Sequence, residues 1–330
     1  MAFQSVLSMA PLRVSFVGGG SDIANFYEKH TGAVVSAAIN KYVYVHIKRH
    51  DPLFQERYRI SYSEIEHTQN RDDIKNAVVR ACLERLKIDE PLQISTSADL
   101  PANSGLGSSS SFAVALLMGL HSLRGEEISP VQIAEEACEV EIGLLGSPIG
   151  KQDQYAAAFG GLNYFEFQSG GNVRIEPIYL SNINTGRLLE RSLLVWTGQS
   201  RKADSILKDQ ATRSLENMSD LIEIANLAKS FKEQLLEPEL DWSVIGEMIS
   251  HGWKLKKTFS SKIVTPEVSK IASRLEEMEC HGFKLLGAGG GGFMFALIED
   301  PQEMAMRYLN GWRTFRPELD HIGARIVSIK

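Results

Sequence analysis

Cysteine is scarce in this chain: three in 330 residues, Cys82, Cys138 and Cys280, widely spaced and without a CxxC pair. That excludes a disulfide framework and a zinc ribbon, and it predicts reduced thiols among apolar neighbours in a reducing, cytoplasmic setting. Positive charge is in deficit, with 35 Lys and Arg against 41 Asp and Glu and a net charge of −6. No broad basic field is offered to a nucleic-acid backbone. Long hydrophobic runs are missing as well. No stretch approaches the roughly 18 apolar residues of a membrane span, and the opening MAFQSVLSMAPLRVSF lacks the basic and apolar regions of a secretory signal. The eight histidines form no HExxH pattern or ligand cluster, and the P-loop string GxxxxGK[ST] is absent. Nucleic-acid and membrane partners are therefore not expected.

What is present suits a globular enzyme: 43% hydrophobic and 23% charged residues, over a length that predicts two domains or one large α/β unit. Leu12, Val14 and Phe16 alternate with Arg13 and Ser15, which predicts a strand ending in the turn Gly18-Gly19-Gly20-Ser21-Asp22. Further strands are expected at 33–48, 92–96, 162–167, 173–180, 192–197 and 325–329, and a strand–glycine–strand unit at 283–298. Helical spacing marks 72–87 and the segment after residue 111. A Ser/Gln capping box with Pro at the first position opens another helix at Ser129. Long amphipathic helices are expected over 204–236, 241–258 and 266–281, and a domain boundary near 185–205.

Two of the glycine clusters read differently. Residues 287–292 match GxGxxG literally, but an apolar strand follows where a dinucleotide site requires a helix. The Rossmann reading fails on that context. Two explanations remain for this run: close packing against another segment, or a ligand lying on the backbone. The string PANSGLGSSSS at 101–111 is more specific. Glycines bring amides close to an anion, the following helix offers its positive end, and serines add hydroxyls. A Ser-capped helix needs only one serine, so phosphate binding is the favoured reading.

Glu141 falls on the apolar stripe of its helix with Ala134, Ala137, Cys138, Leu144 and Leu145. A carboxylate there needs a metal or a basic partner. Asp153 stands beside a turn, either as a functional acid or as a helix N-cap. Arg13 is the lone cation of an apolar strand. Asp22 is either a turn former or an acid aimed into a cleft. Arg201 and Lys202, after a predicted strand, form either an anion site or a solvated helix start.

Taken together these residues resemble the GHMP kinases, the family of galactokinase, homoserine kinase, mevalonate kinase and phosphomevalonate kinase. The resemblance spans nearly the whole chain. It rests on three motifs in order: PLRVSFVGGGSD at 11–22, PANSGLGSSS at 101–110 and KLLGAGGGGF at 284–293. It implies an α+β fold of two domains, an N-terminal one like ribosomal protein S5 domain 2 (1–195) and a C-terminal ferredoxin-like one (196–330). It also implies ATP with Mg²⁺, and transfer of the γ-phosphoryl to a small-molecule sugar or sugar phosphate. Pro101, Gly105, Leu106, Gly107, Ser108, Ser109 and Ser110 match the phosphate loop, and Ser109 and Glu141 the magnesium ligands. Asp153 matches the residue that orients or deprotonates the acceptor hydroxyl, and Arg13 the basic residue supporting it. Asp22, with Gly19 and Gly20, matches the sugar-binding turn, and residues 289–292, Gly289 and Gly290 among them, would line the cleft.

The motifs GGGSD and TGQSRKADSIL look most like the sugar-kinase branch, and this chain lacks the Glu-His pair that galactokinases carry at the end of motif one, which argues against galactose. The expected acceptor is C1 of D-glycero-D-manno-heptose 7-phosphate, its phosphate held by Arg201 and Lys202, with Lys41 a weaker candidate. A free-sugar 1-kinase, for example for L-fucose, and a kinase-like regulator without turnover are the alternatives. A homodimer is compatible with the family.

Overall fold

The alternation of the first strand is the start of a large sheet. The structure, a computed structural model, describes residues 3–180, 188–200 and 217–330. Among these residues the strands are β1 (Ser5–Val17), β2 (Gly32–Arg49), β3 (Tyr58–Ser61), β4 (Ile65–Thr68), β5 (Leu92–Ala98), β6 (Leu162–Phe167), β7 (Val173–Pro177), β8 (Ser192–Trp196), β9 (Gly282–Leu285), β10 (Phe293–Leu297), β11 (Thr314–Phe315) and β12 (Arg325–Ile329). The first sheet has the order β12-β1-β2-β5-β3-β4, with β6 on β2 and β7 on β6. Strand β2 forks. Its residues 32–37 pair with β6 and its residues 43–49 with β5. That divergence opens one end of the sheet, where the phosphate loop enters.

A second sheet, β11-β8-β10-β9, is antiparallel throughout. The expected division at 195/196 falls within β8, and β12 returns to pair with β1 of the first sheet. One apolar cluster joins the two sheets, and a second lies on the other face of the second sheet, around Leu193, Val195, Met294 and Ala296. Phe16 of β1 stacks on Phe231 with centroids 5.9 Å apart, and meets Phe295 of β10 edge-on at 5.4 Å. Aromatic contacts of this kind add to area burial, and these tie β1 to the second sheet.

The helices that shape the site are Ser108–Leu123, Pro130–Cys138, Gln152–Phe159 and Trp242–Lys256. Ser129 forms the expected capping box with Gln132. Beyond Cys138 this helix continues as a π-helical segment, Glu139–Leu144. The wider turn rotates Leu144 off the stripe it was expected to join, and it is exposed. Cys82 and Cys138 are buried free thiols and Cys280 is a half-buried one. Among the described residues no helix is long and apolar enough to cross a membrane.

Candidate active site

The site begins with the way the second motif meets the first and third. Gly105 packs so tightly on the glycine-rich turn that a Cβ there would lie 2.6 Å from Leu286 O. The amide of Phe293 donates to Ser104 O at 3.1 Å. This contact decides between the two readings of the 287–292 run: its backbone packs against the phosphate loop. Gly289 would meet Ile263 and the Gly290 amide donates to Ile263 O. Gly287 and Ala288 line the cleft instead. Placing Gly289 and Gly290 at the substrate is therefore corrected, because their neighbour is Ile263.

Gly107 stands in a left-handed conformation (φ 78°) as N-cap of the helix Ser108–Leu123, with no side chain capping its first turn. Two of the serines are occupied elsewhere. Ser111 Oγ donates to Pro11 O at 2.7 Å and ties the helix to β1, while Ser109 Oγ donates to Glu141 Oε1 at 2.7 Å. The amides at the positive end of the helix are thus left for an anion. Gly105, Gly107, Ser108, Ser109 and Ser110 all line the cleft. Pro101 and Leu106 do not. Pro101 is exposed, and Leu106 is buried in the core, its carbonyl accepting from Arg13 N at 3.0 Å.

Arg13 is only 4% exposed. Its Nε and Nη2 donate to Asp153 Oδ1 and Oδ2, both at 2.7 Å, and its Nη1 donates to Gly105 O at 2.6 Å. One guanidinium therefore joins the acid to the phosphate loop, using the planar fork that lysine lacks. Asp153 is in the first turn of the helix Gln152–Phe159, whose N-cap is Lys151. It is not the cap. Asp22 is buried and accepts from the Gly20 amide, the Gln152 amide and Gln152 Nε2 at 2.9, 3.2 and 3.1 Å. Burial raises its pKa, the Asp153 charge adds to the rise, and the amides oppose it.

Glu141 is 2% exposed and among the described residues has no basic partner in hydrogen-bond contact; Gln154 Nε2 donates to its second oxygen at 2.7 Å. Burial raises its pKa, against hydrogen bonds from Ser110, Ser109 and Gln154, and the Asp153 charge adds to the rise. Among the described residues no group of three His, Cys, Asp or Glu side chains could hold a metal. Mg²⁺ asks for less: hard oxygens from one or two carboxylates, completed by phosphate and water. The Glu141 carboxylate and Ser109 hydroxyl fit that demand.

Two cations in the cleft were invisible as site residues in the sequence. Lys256, at the end of its helix, donates to Gly287 O at 2.7 Å. Burial pulls its ammonium down to about 8; Asp22 and Asp153 oppose that and Arg13 adds to it. Lys284 of β9 is buried, reaches across to β1 and donates to Ser15 O and Phe16 O, both at 2.9 Å. Burial drives it well below the lysine range, and the charges of Lys256 and Arg13 add to that. The cleft they share with Arg13, Asp22, Glu141 and Asp153 measures about 220 Å³. Lys41 lies elsewhere, over the ring of Phe315. Arg201 and Lys202 lie outside the described residues.

The model of the GHMP kinases N terminal domain matches residues 74–161, and that of the GHMP kinases C terminal matches residues 227–308. D-glycero-alpha-D-manno-heptose 7-phosphate kinase of Campylobacter jejuni is 31% identical over 310 residues, which cover 90% of each chain. The bifunctional fucokinase/GDP-fucose pyrophosphorylase of Arabidopsis thaliana is 29% identical over 320 residues, 89% of this chain but 30% of that protein. Among solved structures, a D-glycero-D-manno-heptose 1-phosphate kinase from Bacteroides thetaiotaomicron shares the fold, with a TM-score of 0.79 at 24% identity over 98% of this chain and 99% of the other.

Proposed function

We propose a function from one premise: this chain belongs to the GHMP kinase family and is an ATP-dependent phosphotransferase acting on an alcohol group. The acceptor we propose is a sugar phosphate, D-glycero-D-manno-heptose 7-phosphate, phosphorylated at C1. The Campylobacter jejuni relative, similar over 90% of both chains, supports that choice over a free sugar such as L-fucose.

The observation that carries the reading is the Arg13 guanidinium, bound at once to both oxygens of Asp153 and to Gly105 O. Phosphoryl transfer needs alignment and charge neutralisation more than covalent participation by the protein. In this reading the amides of 107–110 hold the ATP phosphates, and Arg13 keeps the acid at a set distance from them. The acceptor oxygen forms a bond to the γ-phosphorus as the bridging bond to ADP breaks, and Asp153 takes the hydroxyl proton late in the step. Asp22, with Gly19 and Gly20, orients the sugar. Glu141 and Ser109 would hold Mg²⁺. When bound, Mg²⁺ offsets charge on the phosphates.

Reduced Cys82, Cys138 and Cys280 together with the use of ATP support a cytoplasmic setting. The test is ADP release over a panel of sugars and sugar phosphates, with NMR locating the new phosphate. Turnover of heptose 7-phosphate to the 1,7-bisphosphate is expected. Phosphorylation of free sugars alone would overturn the assignment.

A further inference from the structure

Beside Arg13 and Asp153, three hydrogen-bonding side chains converge on the turn that precedes Asp22. A Cβ at Gly19 would lie 3.4 Å from Gln152 Nε2, 3.6 Å from Ser15 Oγ and 3.9 Å from Lys256 Nζ. Glycine leaves this niche open, and Gly19, Ser15, Gln152 and Lys256 all line the cleft. Ser15 is 6% exposed, and its buried hydroxyl has no hydrogen-bond partner among the described residues. Such a group is costly unless a ligand meets it. Lys256 donates to one carbonyl, Gly287 O, and among the described residues it forms no ion pair. Lys284 stands behind the niche. By binding Ser15 O and Phe16 O it fixes the piece of β1 that presents the Ser15 side chain, so it is a positioning residue.

We infer that Lys256 and Ser15, over the floor left open by Gly19, form the subsite for the acceptor's own phosphate, and that they set the preference for a phosphorylated over a free sugar. This rests on the sugar-phosphate reading above. The nucleotide is the other anion that could use these donors, and the layout argues against it. ATP phosphates have their own donors at the helix start by Ser108, next to Glu141. Gly107, at that start, abuts Arg13 and Asp153: a Cβ on it would lie 3.3 Å from the Asp153 carboxylate and 3.4 Å from Arg13 Cγ. Gln152, whose amide borders the niche at Gly19, is the residue before Asp153 in the same helical turn. Asp153 therefore adjoins both anion sites, where a base must be if ATP and the acceptor each bring a phosphate. An ammonium and a hydroxyl in a partly dry niche suit a phosphate monoester dianion.

The test is steady-state kinetics of Lys256→Ala, Lys256→Arg and Gly19→Ala with heptose 7-phosphate, with the dephosphorylated heptose, and with ATP as the varied substrate. Lys256→Ala is expected to raise the KM for heptose 7-phosphate about 10- to 100-fold, the effect of losing a charge-assisted hydrogen bond. The KM for ATP should stay within roughly threefold of wild type, and any turnover of free heptose should lose less than that of heptose 7-phosphate. Lys256→Arg should recover part of the loss. Gly19 has no left-handed φ and its added Cβ would make contacts no shorter than 3.4 Å, so Gly19→Ala should fold normally and reproduce the KM effect by filling the niche. Equal rises in both KM values would assign Lys256 to the nucleotide and overturn the inference, as would an unchanged KM for the sugar phosphate. A wild-type protein that uses only free sugars overturns the function reading, and the inference with it. One that is active on the sugar phosphate but indifferent to these substitutions overturns the inference alone.

Discussion

Asp22 and Gly150 are packed so closely that a Cβ on Gly150 would lie 1.9 Å from Asp22 Oδ2. Gly150→Ala must push the carboxylate away or shift the chain before the helix Gln152–Phe159. Overpacking of this kind costs about 1–3 kcal/mol. A lower midpoint in urea is expected, with a higher KM for the acceptor and little change for ATP. A variant as stable and active as wild type would mean that Asp22 moves freely.

Asp153→Asn keeps the shape of the acid and removes the proton acceptor. The value of kcat should fall about 10²- to 10⁴-fold, the usual contribution of a general base. ATP affinity, measured by calorimetry, should hold within a fewfold. Retained turnover would show that another group takes the proton.

Glu141→Gln retains the contact with Ser109 but loses the charge. The Mg²⁺ concentration for half-maximal activity should rise about tenfold or more. Because burial raises the Glu141 pKa, apparent Mg²⁺ affinity in the wild type should fall at acid pH, as protonation competes with the metal. Metal titrations at pH 5.5 and 7.5 would reveal both effects, and a glutamine variant with wild-type metal demand would remove Glu141 from the metal site.

Lys256 carries its charge at neutral pH and loses it as pH passes about 8. The sugar-phosphate dianion is complete by then, since its second pKa is near 6. The KM for heptose 7-phosphate should therefore climb between pH 7 and 9. Lys256→Arg, which keeps its charge throughout, should flatten that climb.

His121 is clamped by two carboxylates: Nδ1 lies 2.7 Å from Glu126 and Nε2 2.8 Å from Glu136. Burial alone would lower its pKa, but Glu136 and Glu126 outweigh it and the folded value is raised. The stabilisation is complete below the unfolded histidine pKa and is lost as pH rises through the folded one. Thermal midpoints should decline on the alkaline side of neutrality. His121→Leu, which leaves Glu136 short of a partner, should cost about 1–3 kcal/mol at pH 6 and lessen the decline.

The parts of the site that local chemistry dictates were legible. Gly105, Gly107 and the serines announce an anion loop because only that sequence combines sharp turns, donors and a helix start. Glu141 was marked by its place on an apolar stripe. The π-helical segment was not, so Leu144 was placed on the wrong side. Lys256 and Lys284 escaped for a different reason. A lysine ending an amphipathic helix reads as solvated, and only the docking of β9 against β1 turns Lys284 inward. Gly289 and Gly290 were misplaced by analogy, because spacing cannot tell which face of a glycine run meets a ligand. The strand pattern held for β1, β2, β5 and β6, whereas the short β3, β4 and β11 carry too few residues to show a period.

The pairing of β12 with β1 joins segments separated by nearly the whole chain. During synthesis the outer edge of β1 stays open until Arg325–Ile329 has left the ribosome. The sheet that carries Arg13 is therefore among the last parts of the molecule to be closed. A protein cut short before Arg325 would leave the hydrogen-bonding edge of β1 bare at Val6–Met9, open to pairing with a second molecule. Loss of β12 would then be felt as loss of solubility at the strand that carries Arg13.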